Sequence, residues 1–128
     1  MLSIIIPARN EVDNLKDILD NFSTKLVNIN FEVLIINDYS EDGTLDVARK
    51  LFDQSDNFKV YDNKKKGLGG VINLGIEKAN GSKISIMMAD MSDHIDDLKN
   101  YNELMDQNNL DAIFGSRFIN GSKIKNYP

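Results

Sequence analysis

The sequence predicts an α/β fold, a mostly parallel sheet with helices on both faces, wound in the Rossmann-like manner. Three observations predict it. Five short apolar runs alternate with longer stretches whose apolar residues recur at helical spacing. The runs are nearly unbroken, as strands covered on both faces must be. The 128 residues, 41% hydrophobic and 27% charged, suffice for one core and are too few for two. Right-handed crossovers between parallel strands complete the doubly wound arrangement.

The elements follow in order. Leu2 to Ile6 is the first strand, and Leu15, Ile18, Leu19, Phe22 and Leu26 repeat at three and four residues behind it. Phe31 to Ile36 is the second strand, with Leu45, Ala48, Leu51 and Phe52 on one face of the next helix. Phe58 to Tyr61 is a weaker strand, leading to Val71, Ile72, Gly75, Ile76 and Ala79. Ile84 to Ala89 is the fourth run, followed by Ile95, Leu98, Tyr101 and Met105. Asp111 to Phe114 reads as a fifth strand, and Ser116 to Pro128 has little periodicity. The division expected is a domain over residues 1–115 and the start of a further segment over residues 116–128.

Composition removes several functions. A formal net charge of −5 and a pI near 4.8 argue against a nucleic acid polymer as partner, although one bound nucleotide needs only a local pocket. There is no cysteine, so disulfides and thiolate metal sites are excluded. Met1 to Ile6 lacks a basic leader and stops at Pro7, and no apolar run approaches a membrane span, so a soluble chain is expected.

In an open parallel sheet, ligands collect beyond the carboxyl ends of the strands. Four polar segments stand there. In Pro7-Ala8-Arg9-Asn10-Glu11, Asn10 suits a helix N-cap and Glu11 the positive end of the helix dipole. In Asn37-Asp38-Tyr39-Ser40-Glu41-Asp42-Gly43-Thr44, Asp42 is expected to cap the helix from Thr44 and Asp38 to bind a ligand. Lys64-Lys65-Lys66-Gly67-Leu68-Gly69-Gly70 joins cations to glycines that let backbone N–H groups approach a phosphate. It is neither a dinucleotide fingerprint nor a Walker loop, and a lysine run is also what a solvated loop contains. In Met88-Ala89-Asp90-Met91-Ser92-Asp93-His94, Asp90 suits a hard divalent cation bridging a pyrophosphate. Asp93 either joins it or caps the next helix, and the lone His94 receives no catalytic role.

Taken together, these segments resemble family 2 glycosyltransferases, and their order and spacing are similar to the polyprenyl-phosphate mannosyl- and glucosyltransferase branch. Ile4 to Glu11 matches an opening strand with Pro-x-x-Asn-Glu. Ile35 to Thr44 is similar to Asp-Asp-Gly-Ser-x-Asp-Gly-Thr. Lys66-Gly67-Leu68-Gly69, followed by Ala79-Asn80-Gly81, resembles a Gly-Leu-Gly and Ala-x-Gly pair. Gly115-Ser116-Arg117-Phe118 with Asn126-Tyr127-Pro128 looks like the Gly-Ser-Arg-Tyr and Asn-Trp-Pro segment. The match covers essentially the entire chain.

The resemblance implies a GT-A fold, with residues 1–115 binding a nucleotide diphospho-sugar and residues 116–128 beginning an acceptor-side segment. It implies that Pro7, Ala8 and Glu11 line the base and ribose pocket, that Arg9 is a further nucleotide-sugar-binding residue, and that Asp38 meets the base edge. Lys65 or Lys66, with Gly67, would face the nucleotide. Asp90 would be the surviving carboxylate of an Asp-x-Asp motif, holding Mg²⁺ or Mn²⁺ with Asp93 as a candidate second ligand. Arg117 would meet phosphate and, with Asp90, make up the catalytic pair. The implied partners are a GDP- or UDP-sugar donor and a polyprenyl phosphate acceptor. The implied location is cytoplasmic, at the cytoplasmic face of the membrane for the intact enzyme.

Three departures qualify the resemblance. Met88 stands where the first aspartate of Asp-x-Asp is usual. Asn37 and Tyr39 replace the usual Asp and Gly around Asp38. The chain stops at Pro128, where the family continues, so an N-terminal portion of a longer enzyme is expected. The implied reaction is hexose transfer with inversion at the anomeric carbon. An anionic phosphate acceptor needs no general base, and the residues offer none. The rivals are a catalytically inactive module of the same fold, a phospho-receiver domain and a sugar-nucleotide pyrophosphorylase. The receiver would need paired acids after the first strand; the pyrophosphorylase would need a Gly-rich loop there. Pro7-Ala8-Arg9 is neither.

Overall fold

The structure, a computed structural model, describes residues 1–116 and residue 121. Four strands and four helices alternate: β1 (Leu2–Ala8), α1 (Leu15–Lys25), β2 (Phe31–Asn37), α2 (Thr44–Phe52), β3 (Phe58–Asp62), α3 (Leu68–Lys78), β4 (Lys83–Ile86) and α4 (Ile95–Asn108). A 3-10 turn over Val12–Asn14 leads into α1. All strand pairs are parallel, in the order β3-β2-β1-β4, with Ile5 beside both Leu34 and Ile86.

The period of two along each strand sorts the core into two layers. Leu2, Ile4, Ile6 and Ala8 of β1 and Phe31, Val33 and Ile35 of β2 point to the face carrying Leu15, Ile18 and Phe22 of α1, Phe52 of α2 and Leu98 of α4. Ile5, Leu34 and Ile36 point to the opposite face, where they meet Val71 of α3. Helices therefore cover both faces, as the unbroken apolar runs require. Phe52 stacks on Phe58 at 5.0 Å, closing α2 over the weak third strand. Gly75 brings α3 close to the sheet, since a Cβ there would stand 2.6 Å from Ile5 Cγ2.

Two expectations change. Asp111 to Phe114 forms no strand: the described part of the sheet has four strands, and Phe114 is 91% exposed. Strand propensity is expressed only where a partner edge supplies the ladder, and this segment leaves α4 without reaching one. The fourth run is not covered on both faces either. Met87 and Ala89 are buried, whereas Ile84, Ile86 and Met88 are exposed. Among the described residues, α3 packs mainly against β1 and β2 and not against that side of β4. Among the described residues no helix is long and apolar enough to cross a membrane.

The topology places a site. The chain winds from β1 to β2 to β3 in one direction, then crosses behind the sheet to add β4 on the other side of β1. The order therefore switches between β1 and β4. A crevice opens beyond the carboxyl ends of strands at such a point.

Candidate functional site

Three of the four strand-end segments are bound to one another. The segment after β2 is the bracket, and it grips the segment after β1 first. The Asp38 N–H donates to the Ala8 carbonyl at 2.8 Å. The Asn10 N–H donates to Ser40 Oγ at 3.0 Å, and Glu41 N–H returns a bond to Asn10 Oδ1 at 2.8 Å. The Glu11 N–H donates to Thr44 Oγ1 at 3.0 Å and the Val12 N–H to Asp42 Oδ2 at 3.3 Å. Asn10 is thus no helix cap. Its backbone is left-handed, with φ 56°, and its side chain joins two loops.

Asp42 does what a cap does, from one position further out than usual. Gly43 holds the N-cap position of α2, and Asp42 Oδ1 accepts from the N–H of Thr44, the first helical residue, at 2.9 Å. The Thr44 hydroxyl, which also donates to Asp42, is the main cause holding that carboxyl below its ordinary pKa. Glu11 accepts from Asn14 Nδ2 at 2.6 Å through its side chain.

The same bracket grips the segment after β3. Asn37 Nδ2 donates to Asp62 Oδ1 at 2.8 Å. Asn63 Nδ2 donates to Asp38 Oδ1 at 2.9 Å, and the Gly67 N–H reaches both Asp38 oxygens at 3.0 and 3.1 Å. Asp38 is 6% exposed, so its carboxylate is enclosed by these donors. The Tyr39 hydroxyl donates to the Lys64 carbonyl at 3.1 Å, and the Lys66 ammonium stands 5.8 Å from the Tyr39 ring centroid. Gly70 completes the loop, because a Cβ there would come 1.8 Å from the Lys65 carbonyl oxygen. Of the three glycines only Gly70 is required by packing, Gly67 has a positive φ of 107°, and the Gly67 N–H is committed to Asp38.

The fourth segment stands apart. The Met87 N–H donates to the Ile5 carbonyl at 3.0 Å, which carries the run one step past β4 alongside β1. Asp90 lies exposed just beyond, on the β4 side of the switch point, and accepts from the Ser92 N–H at 3.0 Å. His94 holds the N-cap position of α4, one residue after Asp93, whose Oδ2 accepts from the Met88 N–H at 3.3 Å. Among the described residues no three His, Cys, Asp or Glu side chains gather to hold a metal. One exposed carboxylate is nevertheless what Mg²⁺ commonly takes from a protein when substrate phosphates and water supply its other ligands. Asp90 fits a cation shared with a bound pyrophosphate, and the described residues offer no cage of their own.

Pro7, half-buried, and Arg9, exposed, stand at the end of β1, on the other side of the switch point from Asp90. Lys65 and Lys66 are exposed on the loop held by Asp38. Arg117 and Asn126-Tyr127-Pro128 lie outside the described residues. A cleft of about 790 Å³ opens against the bracket, lined by Asn37, Tyr39, Ser40, Asp62, Asn63 and Lys64 among others. None of Pro7, Ala8, Glu11 or Asp90 borders it.

Residue-by-residue reading missed Asn63. It is 5% exposed and bonds to Asp38, to the Lys65 carbonyl and to the Lys65 N–H. Its signal was available: a polar residue directly after a strand, leading into a glycine-rich turn. It also missed Glu32, whose partners Ser3, Lys59 and Asn80 are scattered along the chain.

A parallel sheet whose strand order switches between β1 and β4, with laced strand-end loops, defines a Rossmann-like α/β domain. The chain belongs to glycosyl transferase family 2, whose family model matches residues 3–128. It is 29% identical over 127 residues to a dolichol-phosphate mannosyltransferase of Pyrococcus furiosus, covering 99% of this chain and 36% of that protein. It is 37% identical over 102 residues to a dolichyl N-acetyl-α-D-glucosaminyl phosphate 3-β-D-2,3-diacetamido-2,3-dideoxy-β-D-glucuronosyltransferase of Methanococcus voltae, covering 77% and 32%. The chain spans about a third of the length of these relatives.

Solved structures show the same fold. TarS of S. aureus, in complex with UDP-GlcNAc, superposes with a TM-score of 0.71 at 23% identity, over 97% of this chain and 36% of that one. The mannosyltransferase PcManGT of Pyrobaculum calidifontis, in complex with GDP-Man and Mn²⁺, gives 0.68 at 22% identity, over 81% and 32%.

Proposed function

We propose that this chain is the donor-binding part of an inverting glycosyltransferase that moves a hexose from a nucleotide diphospho-sugar to a polyprenyl phosphate. The observation that carries the reading is the switch in strand order between β1 and β4, which places Pro7 to Glu11 at the end of one strand and exposed Asp90 beyond the other, in a chain that belongs to glycosyl transferase family 2. GDP-Man with Mn²⁺ and UDP-GlcNAc in the two related structures, and the dolichyl-phosphate names of the two relatives, support the donor and acceptor classes.

In this reading Pro7, Ala8, Arg9 and Glu11 flank the base and ribose. Asp38 stands at the base edge while anchoring the loop that carries Lys65 and Lys66. Asp90 holds a divalent cation against the donor's diphosphate, and that cation supplies charge stabilisation of the leaving group when bound. Asp93 assists as a second carboxylate. Arg117 brings positive charge to phosphate, and residues 116–128 begin the acceptor side. An anionic phosphate oxygen attacks without a general base, so none is required of these residues. A cytoplasmic location, at the membrane's cytoplasmic face for the intact enzyme, belongs to the same proposal.

The test is transfer by the full-length enzyme from GDP- and UDP-sugars, with the anomeric configuration of the product read by NMR. The proposal expects inverted sugar on polyprenyl phosphate; transfer to sugar hydroxyls alone, or retention, contradicts it. Met88 favours a second reading, an inactive module of the same fold. Absence of both transfer and metal-dependent donor hydrolysis, with donor binding intact, selects that reading.

A further inference from the structure

The cationic run after β3 has an unusual keeper. Tyr39 sits in the left-handed region with φ 58°, a backbone that glycine adopts without the steric penalty a Cβ brings. A bulky residue held in such a conformation invites a search for what its side chain does. Here the side chain meets the lysine run twice: its hydroxyl donates to the Lys64 carbonyl at 3.1 Å, and its ring stands 5.8 Å from the Lys66 ammonium. The neighbouring Asp38 fixes the two ends of the same run through Asn63 and Gly67. Between those anchors Lys64, Lys65 and Lys66 are exposed. An exposed lysine is a mobile point charge on a flexible stem unless something holds it.

We infer that Tyr39 is a positioning residue: its hydroxyl and ring hold the Lys64–Lys66 run in place, so that the Lys66 ammonium is presented to the phosphates of the bound nucleotide. The inference rests on the donor-binding reading above and adds a specific role within it. Asp38 sets where the loop begins and ends, and Tyr39 sets where its charge stands. Tyr39 is 45% exposed, so its side chain can be changed without opening the core.

The test compares the full chain with Tyr39→Phe and Tyr39→Leu. NMR titrations use GDP, UDP and the corresponding nucleosides without phosphate, and amide exchange is measured with no ligand. Losing a hydrogen bond and an exposed cation–π contact together is expected to weaken diphosphate binding about tenfold in Tyr39→Leu. Nucleoside binding should stay within about twofold of wild type, because the charge and not the base pocket has moved. Tyr39→Phe, which keeps the ring, should fall between. Amide exchange at Lys65 and Gly67 should quicken in Tyr39→Leu while its urea midpoint holds.

Unchanged diphosphate affinity overturns the inference. Parallel loss of nucleoside and diphosphate also overturns it, because that pattern means the ring touches the base. If wild type binds no nucleotide, the donor-binding reading fails. The exchange measurement then decides separately whether Tyr39 holds the loop: unchanged exchange rejects that too.

Discussion

The backbone N–H of Gly67 stands 3.0 and 3.1 Å from the two carboxylate oxygens of Asp38, a residue 29 positions earlier in the chain. This contact joins the end of the second strand to the start of the third helix. The aspartate is a structural anchor of the loop as well as a proposed ligand residue.

Asp38→Ala leaves the Gly67 N–H and the Asn63 amide without their shared acceptor. Removing a charged, largely buried hydrogen-bond partner costs about 2–3 kcal/mol. Urea unfolding should show that loss with no ligand present, together with faster exchange at Gly67. A variant as stable as wild type would mean that water replaces the carboxylate without penalty.

Glu32 predicts a pH dependence. Burial pushes its carboxyl up, but bonds from the Asn80 N–H, the Ser3 hydroxyl, the Asn80 side chain and Lys59 prevail and bring it down to about 2. A group whose pKa is lower folded than unfolded stabilises the fold above its unfolded value and loses that contribution as pH falls through the folded one. The contribution is therefore complete above about pH 5, declines below the ordinary 4.5, and is gone near pH 2. Its full size is on the order of 3 kcal/mol. The difference in unfolding free energy between wild type and Glu32→Gln should shrink over that window. A difference that does not change between pH 6 and pH 3 would contradict the assignment.

Two glycines of α3 should respond in opposite directions. A Cβ at Gly75 would meet Ile5 Cγ2 at 2.6 Å, whereas one at Gly69 would meet nothing within 4 Å. Gly75→Ala is expected to cost about 1–3 kcal/mol through overpacking. Gly69→Ala is expected to gain up to about 1 kcal/mol by restricting the unfolded chain. Denaturant midpoints check both, and a neutral Gly75→Ala would show that α3 shifts freely on the sheet.

How far the sequence carried the fold is clearest in the strands. Ile4 to Ile6 and Val33 to Ile36 are apolar at every position, and each is buried from both sides. Where neighbours decide, pattern misleads. Ile84 and Ile86 look like their counterparts in β1 but face a side that α3 does not reach. Asp111 to Phe114 has strand composition and pairs with no strand among the described residues.

The site was legible by position and less so by contact. Strand-end reasoning put Asp38, Lys65, Lys66, Gly67 and Asp90 beyond the carboxyl ends of the strands, and that is where they stand. It had no means of showing that Asp38 is enclosed by Gly67 and Asn63, or that Asn10 bridges loops instead of capping a helix. Those bonds join residues about 25 to 31 apart, and only the closed sheet brings them together.

The most direct test of the central claim is a thermal-shift titration with GDP, UDP and their sugar conjugates, with and without Mn²⁺, on wild type and Asp90→Asn. Ligand at about 100 times its dissociation constant adds about 2.7 kcal/mol, a shift of several degrees in a domain of this size. The account predicts a metal-dependent shift for one base in wild type. In Asp90→Asn it predicts that the metal-dependent part is lost while the unliganded melting temperature is kept. A flat panel in wild type, or a shift indifferent to both Mn²⁺ and Asp90, would contradict it.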